Sequence, residues 1–273
     1  MTSVTPVTGF TVPVTDASDR IVDAVTPERG KRQRELVDGY RIFGSYGWGD
    51  DGSGHISARD PEHLDSFWML RYGVAFARAT LGDLVRIGSD GKVVEGYPGS
   101  TFTAAAHFIH TPIHEVRPDI VAVAHTHTGY GTPFAALARP LRMTSQEACA
   151  FADRQGVFLG EELDITDLNA GHRLAAAGLH ARLLVLANHG LLTVGGSVAE
   201  TVGWFVLAER AAEVEIKVGD EGRVISSAGA AAVAISLGDP SNAIAVFRFL
   251  CASRLGGSGV SDECIGSEVV ERP

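Results

Sequence analysis

The chain has 273 residues, 45% of them hydrophobic and 21% charged; this is enough for a sizeable buried core and excludes a wholly disordered chain. Its formal net charge is −10 and no Lys/Arg cluster stands out, which argues against nucleic acid or an anionic membrane surface as the main partner. No apolar run is long enough to span a bilayer, the N-terminal stretch lacks a secretory signal, and the three cysteines, Cys149, Cys251 and Cys264, make neither a disulfide framework nor a metal clip; a reduced cytoplasm is the expected compartment.

Residues 1–25 are rich in Thr, Val, Asp and Pro and read as an extended N-terminal arm or a mobile tail. Thr26-Pro27-Glu28 then opens a helix, with a capping threonine, proline at the first position and an acid in the first turn. That helix is expected to run to about Gly44, before a Gly- and Asp-rich loop over 47–54. Strands are expected over 54–59 (Gly54-His55-Ile56-Ser57-Ala58-Arg59) and 67–70, and a hairpin joins 83–87 to 92–95 across Ser89-Asp90-Gly91. Residues 103–116 read as a helix that Pro112 kinks or restarts. His107, His110 and His114 share one face of it if it is continuous, either as substrate-binding groups or as hydrogen-bonded core histidines.

Arg117-Pro118-Asp119 turns into a valine-rich strand that ends in His125-Thr126-His127. Side chains at i and i+2 of a strand project together, so the two imidazoles emerge side by side at a strand end, where open α/β architectures place their chemistry. The pair alone is equally explained by two hydrogen-bonded histidines. A second apolar strand, Leu183-Leu184-Val185-Leu186-Ala187, also ends in a histidine, in Asn188-His189-Gly190. Three imidazoles suit a divalent transition metal with coordination positions left open.

Between these strands, 133–138 reads as a short helix, 145–153 as helical or irregular, and 164–177 as a helix capped by Gly178. Tyr130 is either a proton donor near the metal or a packed tyrosine. Glu147 is the nearest acid after the histidine strand, as a proton-transfer group or a solvated loop carboxylate. Cys149 has no basic partner in sequence and is not expected to be a nucleophile. Ser197 and Glu200 form a capping box for a helix to about Val218, with Val198, Val202, Phe205 and Val206 on one side and Glu209, Arg210 and Glu213 toward solvent or a neighbouring subunit. Residues 239–254 give a last helix, and a flexible tail follows from Gly256. The organisation expected is an arm over 1–25, one metal-binding domain over 26–218, and a C-terminal extension over 219–273 with one helix and a tail.

Gly54-His55-Ile56-Ser57, Arg117-Pro118-Asp119, His125-Thr126-His127 and Asn188-His189-Gly190, in that order, resemble the class II aldolase/adducin-like family over about residues 28–218. The resemblance implies an α/β/α sandwich around a largely antiparallel central sheet. It also implies a homotetramer with sites between subunits, and one divalent metal per chain, Fe²⁺ or Zn²⁺, held by His125, His127 and His189.

The departures bear on the activity. Sugar-phosphate members carry an acid that aligns here with Ala106, and phosphate-binding serines that align with Ala104 and Ala105. Their loop asparagine aligns with His55, which makes His55 a candidate catalytic group. Alanine neither moves a proton nor hydrogen-bonds a phosphate through its side chain. The chain is similar also to a branch of non-heme iron oxygenases that oxidatively decarboxylate prenylated aryl keto acids and mandelates in antibiotic biosynthesis. Another branch of the family decarboxylates aromatic diols bearing carboxylates, and the missing base and phosphate ligands fit either branch better than a sugar aldolase. The expected function is metal-dependent decarboxylation of a non-phosphorylated hydroxy, keto or aromatic acid, with O₂ as co-substrate if the metal is iron. A zinc-dependent aldolase and a non-catalytic adducin-like module are the alternatives.

Overall fold

The computed structural model describes residues 25–160 and 165–256. The expected N-terminal arm (Val25 apart), Asp164 and the expected tail beyond Gly256 lie outside the described residues.

Helix α1 (Pro27–Ser45) begins where its sequence signals place it: Thr26 accepts from the Arg29 N–H, with proline and Glu28 in the first turn. It lays Leu36, Val37, Tyr40 and Phe43 against the sheet. The strands β1 (His55–Arg59), β2 (Phe67–Leu70), β3 (Leu84–Ile87) and β4 (Val93–Glu95) follow. Helix α2 (Ala104–Val116) leads into β5 (Ala122–Thr126), and α3 (Gly131–Ala135) is a short helix just beyond. Then come β6 (Gln155–Phe158), α4 (Leu168–Ala177), β7 (Leu183–Leu186), β8 (Gly190–Gly195), α5 (Val198–Val218), α6 (Ser227–Leu237) and α7 (Pro240–Arg254).

The eight strands form one sheet in the order β4-β3-β2-β1-β5-β8-β7-β6. Every neighbouring pair is antiparallel except β6 and β7. Side chains of β1 and β5 alternate between two helical layers. Ile56, Ala58, Ala122 and Ala124 join α1 and α5 in the larger core, while Val123 joins Ile109 and Ile113 of α2 and Leu174 of α4 in a second one. A largely antiparallel sheet between two helical layers is the architecture the resemblance implied.

Tyr40 shows how α1 anchors the centre. Its hydroxyl donates to the Ile56 carbonyl (2.7 Å) and accepts from the Ile56 and Leu70 N–H groups (2.8 and 3.2 Å). It thus occupies the place where the β1–β2 ladder would continue past Ser57 and Met69, immediately before His55.

Several expectations are corrected. Pro112 neither restarts nor ends α2, which is one helix. Proline offers no N–H to the Phe108 carbonyl four residues earlier, and that oxygen instead faces α4 at Gly171, where a Cβ would lie 1.9 Å from it. Helix α4 starts at Leu168, with Asp167 as its cap. The 145–153 segment is a short 3-10 turn over Glu147–Phe151, followed by strand β6, which was not expected. The described part of the C-terminal extension carries two α-helices rather than one. Helix α6 is mostly alanine and small residues, so it shows no apolar period; α7 buries Ala243, Phe247, Leu250 and Cys251 in the core shared with α1 and α5.

Candidate metal centre

Strand β5 ends at the open side of the sheet with His125 wholly buried and His127 exposed just past it. The β7–β8 connection brings His189 alongside. That turn is tight: Asn188 sits at φ +56°, a left-handed conformation that asparagine tolerates, and the His189 N–H donates back to the Leu186 carbonyl (2.9 Å). One potential ligand atom from each of His125, His127 and His189 falls within 4.8 Å of the others. The ring centroids are 4.7–5.3 Å apart.

The donor set fits a divalent transition metal. Nδ1 of His125 lies 2.8 Å from the Leu191 carbonyl oxygen. A carbonyl only accepts, so Nδ1 carries the proton and Nε2 presents a lone pair, the state a ligating histidine needs. Burial first, then the neighbouring His189 and His55 rings, holds His125 well below the usual histidine range, so it is neutral. These are the three histidines that the strand-end motifs singled out as candidate ligands.

His55 stands directly opposite His125 in the β1–β5 register, ring centroids 5.2 Å apart. It lines the same cavity of about 500 Å³ as the triad. Among the described residues the rest of the wall is Gly52, Ser53, Gly54, Thr103, Ala105, Ile109, Thr132, Ile165 and Asn188. None of the described lining residues is Asp, Glu, Lys or Arg. Gly54, at φ +98°, rests on Thr126, where a Cβ would fall 2.4 Å from the Thr126 Oγ1. Glycine is therefore what lets the loop before β1 close over the end of β5. Ala105 is the alanine that faces the cavity; Ala106 is wholly buried with Phe67 and Phe102.

The three α2 histidines are not among the described residues that line this cavity; they make hydrogen bonds within the core, the other of the two roles expected for them. His107 pairs with Thr111 (2.8 Å) and lies against Gly91 of the β3–β4 hairpin. His110 and His114 turn inward to β1, where they meet His55 and Ser57. Burial pushes His55 and His110 well below the ordinary range and His114 down to about 3.

Glu147 is also displaced from its expected place. Its 3-10 turn packs with α5 and α6, and Glu147 is absent from the lining of the triad cavity. Tyr130 lines a second groove of about 770 Å³, which shares His127 and Thr132 with the first. Its hydroxyl meets Glu213 and Lys217 of α5. Cys149 is buried, and burial raises its thiol, which suits the expectation of an inert cysteine.

One residue with a clear structural task went unrecognised. Glu209 was expected at solvent or a neighbouring subunit, yet it is buried beneath the loop that follows His127. Its carboxylate accepts from the Thr128 hydroxyl (2.6 Å), the Tyr130 N–H (3.0 Å) and the Gly131 N–H (2.7 Å). Burial raises its pKa, and these three donors oppose that shift. The available signal was its spacing: position 209 continues the apolar stripe of Val202 and Val206.

Comparison with known proteins places this geometry in context. Residues 34–216 match the family described as "Class II Aldolase and Adducin N-terminal domain". "Decarboxylase NovR" of Streptomyces niveus is 36% identical over 178 residues, 64% of this chain and 65% of that protein. The "4-hydroxy-3-prenylphenylpyruvate oxygenase/4-hydroxy-3-prenylbenzoate synthase" of Streptomyces roseochromogenus subsp. oscitans is 36% identical over 64% of each chain. The match thus spans just under two thirds of these two relatives' length. Among solved structures, "L-fuculose 1-phosphate aldolase from Glaciozyma antarctica PI12" superposes with a TM-score of 0.76 at 30% identity, covering 89% of this chain and 96% of that one.

Proposed function

The chain belongs to the class II aldolase and adducin N-terminal domain family, and on that premise we propose that it is a divalent-metal-dependent decarboxylase of a non-phosphorylated hydroxy, keto or aromatic carboxylic acid. The observation that carries this is the cavity beside the triad. Where a sugar-phosphate aldolase needs a base and a phosphate cradle, this wall offers Ala105, Ile109 and Ile165. The names of the two Streptomyces relatives, a decarboxylase and a prenylphenylpyruvate oxygenase, point the same way.

His125, His127 and His189 would hold the metal, Fe²⁺ or Zn²⁺. Bound there, it would supply Lewis-acid stabilisation of the electron pair left on the substrate when CO₂ departs or, as iron, access to O₂. The protein's own part is positional. The apolar wall takes a hydrophobic or aryl group and keeps water from the reacting carbon, while His55 faces the acid's oxygens. Glu209 holds the loop after His127 in place. Breaking the bond to CO₂ requires no prior proton abstraction, so the alanines at the first turn of α2 are no obstacle. A (prenylated) aryl pyruvate or mandelate is the substrate class that best fits the wall, as in a secondary-metabolic pathway.

We further propose a cytoplasmic homotetramer in which 26–218 is the catalytic domain. Ile235 and Phe249, 82% and 75% exposed on α6 and α7, supply apolar surface for subunit contact. Among the described residues no single helix is long and apolar enough to cross a membrane. Sedimentation at micromolar concentration is expected to give the tetramer; a monomer would overturn this assignment.

The activity is tested by reconstituting apo-protein separately with Fe²⁺ and Zn²⁺ and supplying aryl pyruvates, mandelates and dihydroxyphthalates. CO₂ release with O₂ uptake, only with iron, selects oxidative decarboxylation; CO₂ without O₂ selects the simple reaction. Turnover of sugar phosphates alone would overturn the proposal in favour of an aldolase.

A further inference from the structure

Behind His55 runs an unbroken chain of buried polar side chains. His55 Nδ1 lies 2.6 Å from His110 Nε2, His110 Nδ1 lies 2.5 Å from Ser57 Oγ, and Ser57 Oγ lies 3.0 Å from His114 Nε2. At the far end His114 Nδ1 is buried without a hydrogen-bond partner among the described residues. The fold produces this chain by simple periodicity. His55 and Ser57 share a face of β1, and His110 and His114 lie one turn apart on the facing side of α2.

Among the described residues, the charged and titratable neighbours acting on the three rings are other histidines and Arg59. All three rings are buried, and among the described residues none of their hydrogen bonds goes to a carboxylate that could hold a charged imidazole, so each ring is neutral. A neutral imidazole has one N–H and one bare nitrogen, and a hydroxyl has one O–H. A hydroxyl also has two lone pairs, so Ser57 could accept from His110 Nδ1 and His114 Nε2 together, but its own buried O–H would then have no acceptor among the described residues. Two orders remain in which every donor within the chain is used. In the first, His114 Nε2 donates to Ser57, Ser57 donates to His110 Nδ1, and His110 Nε2 donates to His55 Nδ1. His55 then carries its proton on Nε2. In the second, all three bonds reverse, His55 Nε2 is bare, and His114 is left with an N–H at its orphaned Nδ1. A buried N–H without an acceptor is among the rarest and costliest orphans in folded proteins. The first order leaves only a lone pair there.

We infer that this relay locks His55 as its Nε2–H tautomer, so that the side chain facing the metal triad is a neutral hydrogen-bond donor and not a base. The inference rests on the reading of the cavity as a carboxylate site. Its natural partner is an anionic oxygen of the bound acid. A donor without formal charge strengthens such an oxygen's binding and does not repel a nearby dication as an imidazolium would. Ser57, His110 and His114 are then positioning residues, each acting through the next.

The test reads the tautomers directly. Long-range ¹H–¹⁵N correlation spectra of ¹⁵N-histidine-labelled, zinc-loaded protein distinguish protonated from bare ring nitrogens. The expected pattern is a protonated Nε2 and a bare Nδ1 on His55, His110 and His114 alike. His114→Gln, whose amide can still donate to Ser57, is expected to keep the His55 pattern. His114→Leu and Ser57→Ala remove the donor or split the chain and are expected to give a mixed or reversed pattern at His55. A wild-type His55 with its proton on Nδ1 would overturn the inference. So would an unchanged His55 pattern in both disruptive variants.

A second measurement connects the relay to binding. Titration of the zinc-loaded protein with mandelate is expected to show affinity about tenfold weaker in His114→Leu, with His114→Gln close to wild type. Equal affinity in both variants would sever the relay from anion binding. The spectra need neither substrate nor turnover, so a failed decarboxylase assay and a failed tautomer assignment are separately visible.

Discussion

The two faces of β1 and β5 are built from alternate residues of the same short strands, yet they do opposite things. Toward α1 and α5 the strands present Ile56, Ala58, Ala122 and Ala124, packed in the larger apolar core. Toward α2 they present His55, Ser57 and His125, a buried polar array. The apolar face draws its stability from surface removed from water and is indifferent to pH. The histidine face exchanges some of that packing for hydrogen bonds that hold only while the imidazoles remain neutral. Stability and chemistry are therefore separated by one residue of strand spacing.

The largest effect that would break this division concerns the metal. Single replacement of His125, His127 or His189 by Ala is expected to weaken metal binding well over tenfold. Metal analysis after dialysis should show one ion per chain falling to a small fraction. Retention of stoichiometric metal by all three variants would mean that the site is elsewhere.

On the opposite face, Ile56→Ala is expected to cost about 2–5 kcal/mol in urea unfolding while metal stoichiometry stays unchanged. If metal were lost with stability, the two faces would not be independent.

The pH dependence sharpens the contrast. The His114 pKa is depressed on folding, from 6.5 to about 3. A depressed group contributes stability above its unfolded pKa, and that contribution is lost as pH falls through the interval toward the folded value. Stability should therefore decline below about pH 6.5, by up to about 1.4 kcal/mol per pH unit for this one group. His114→Gln should flatten the slope, whereas Ile56→Ala should lower the curve without changing its slope. Parallel curves for wild type and His114→Gln would refute the assignment of acid sensitivity to this ring.

Tyr40 ties the two faces together at the strand end. Tyr40→Phe is expected to cost about 1–2 kcal/mol, because the Ile56 and Leu70 backbone groups lose their partner. Hydrogen exchange should quicken at those two amides and leave β7 unaffected; uniform change across the sheet would contradict the local role.

The smallest effect belongs to Tyr130. Its hydroxyl meets surface ions of α5, so Tyr130→Phe should shift stability by less than about 1 kcal/mol. Decarboxylation should change by less than about threefold. A loss of a hundredfold or more would restore Tyr130 as a proton donor.

What was readable in the sequence was local. Thr26, Ser197 and Glu200 mark helix starts because capping involves residues only three positions apart. His125 and His127 declare their common direction because a strand alternates every residue. Helix α6 and β6 escaped for the same reason in reverse. An alanine-rich helix has no apolar stripe, and a four-residue strand containing Gly156 has no alternation to detect.

The sequence by itself determined the family, the layered architecture and the three histidines proposed as metal ligands, because each is encoded in short spacings or in an ordered set of motifs. Only the tertiary structure decided which way the other polar groups face. Pairing of β1 with β5 sets His55 opposite His125 across a separation of 70 positions. The continuity of α2 through Pro112 turns His110 and His114 toward Ser57 and away from the cavity. The approach of α5 to the loop after β5 buries Glu209 as an acceptor for three donors. In each case the orientation depends on which element packs against which, a property of long-range burial and register that no local spacing carries.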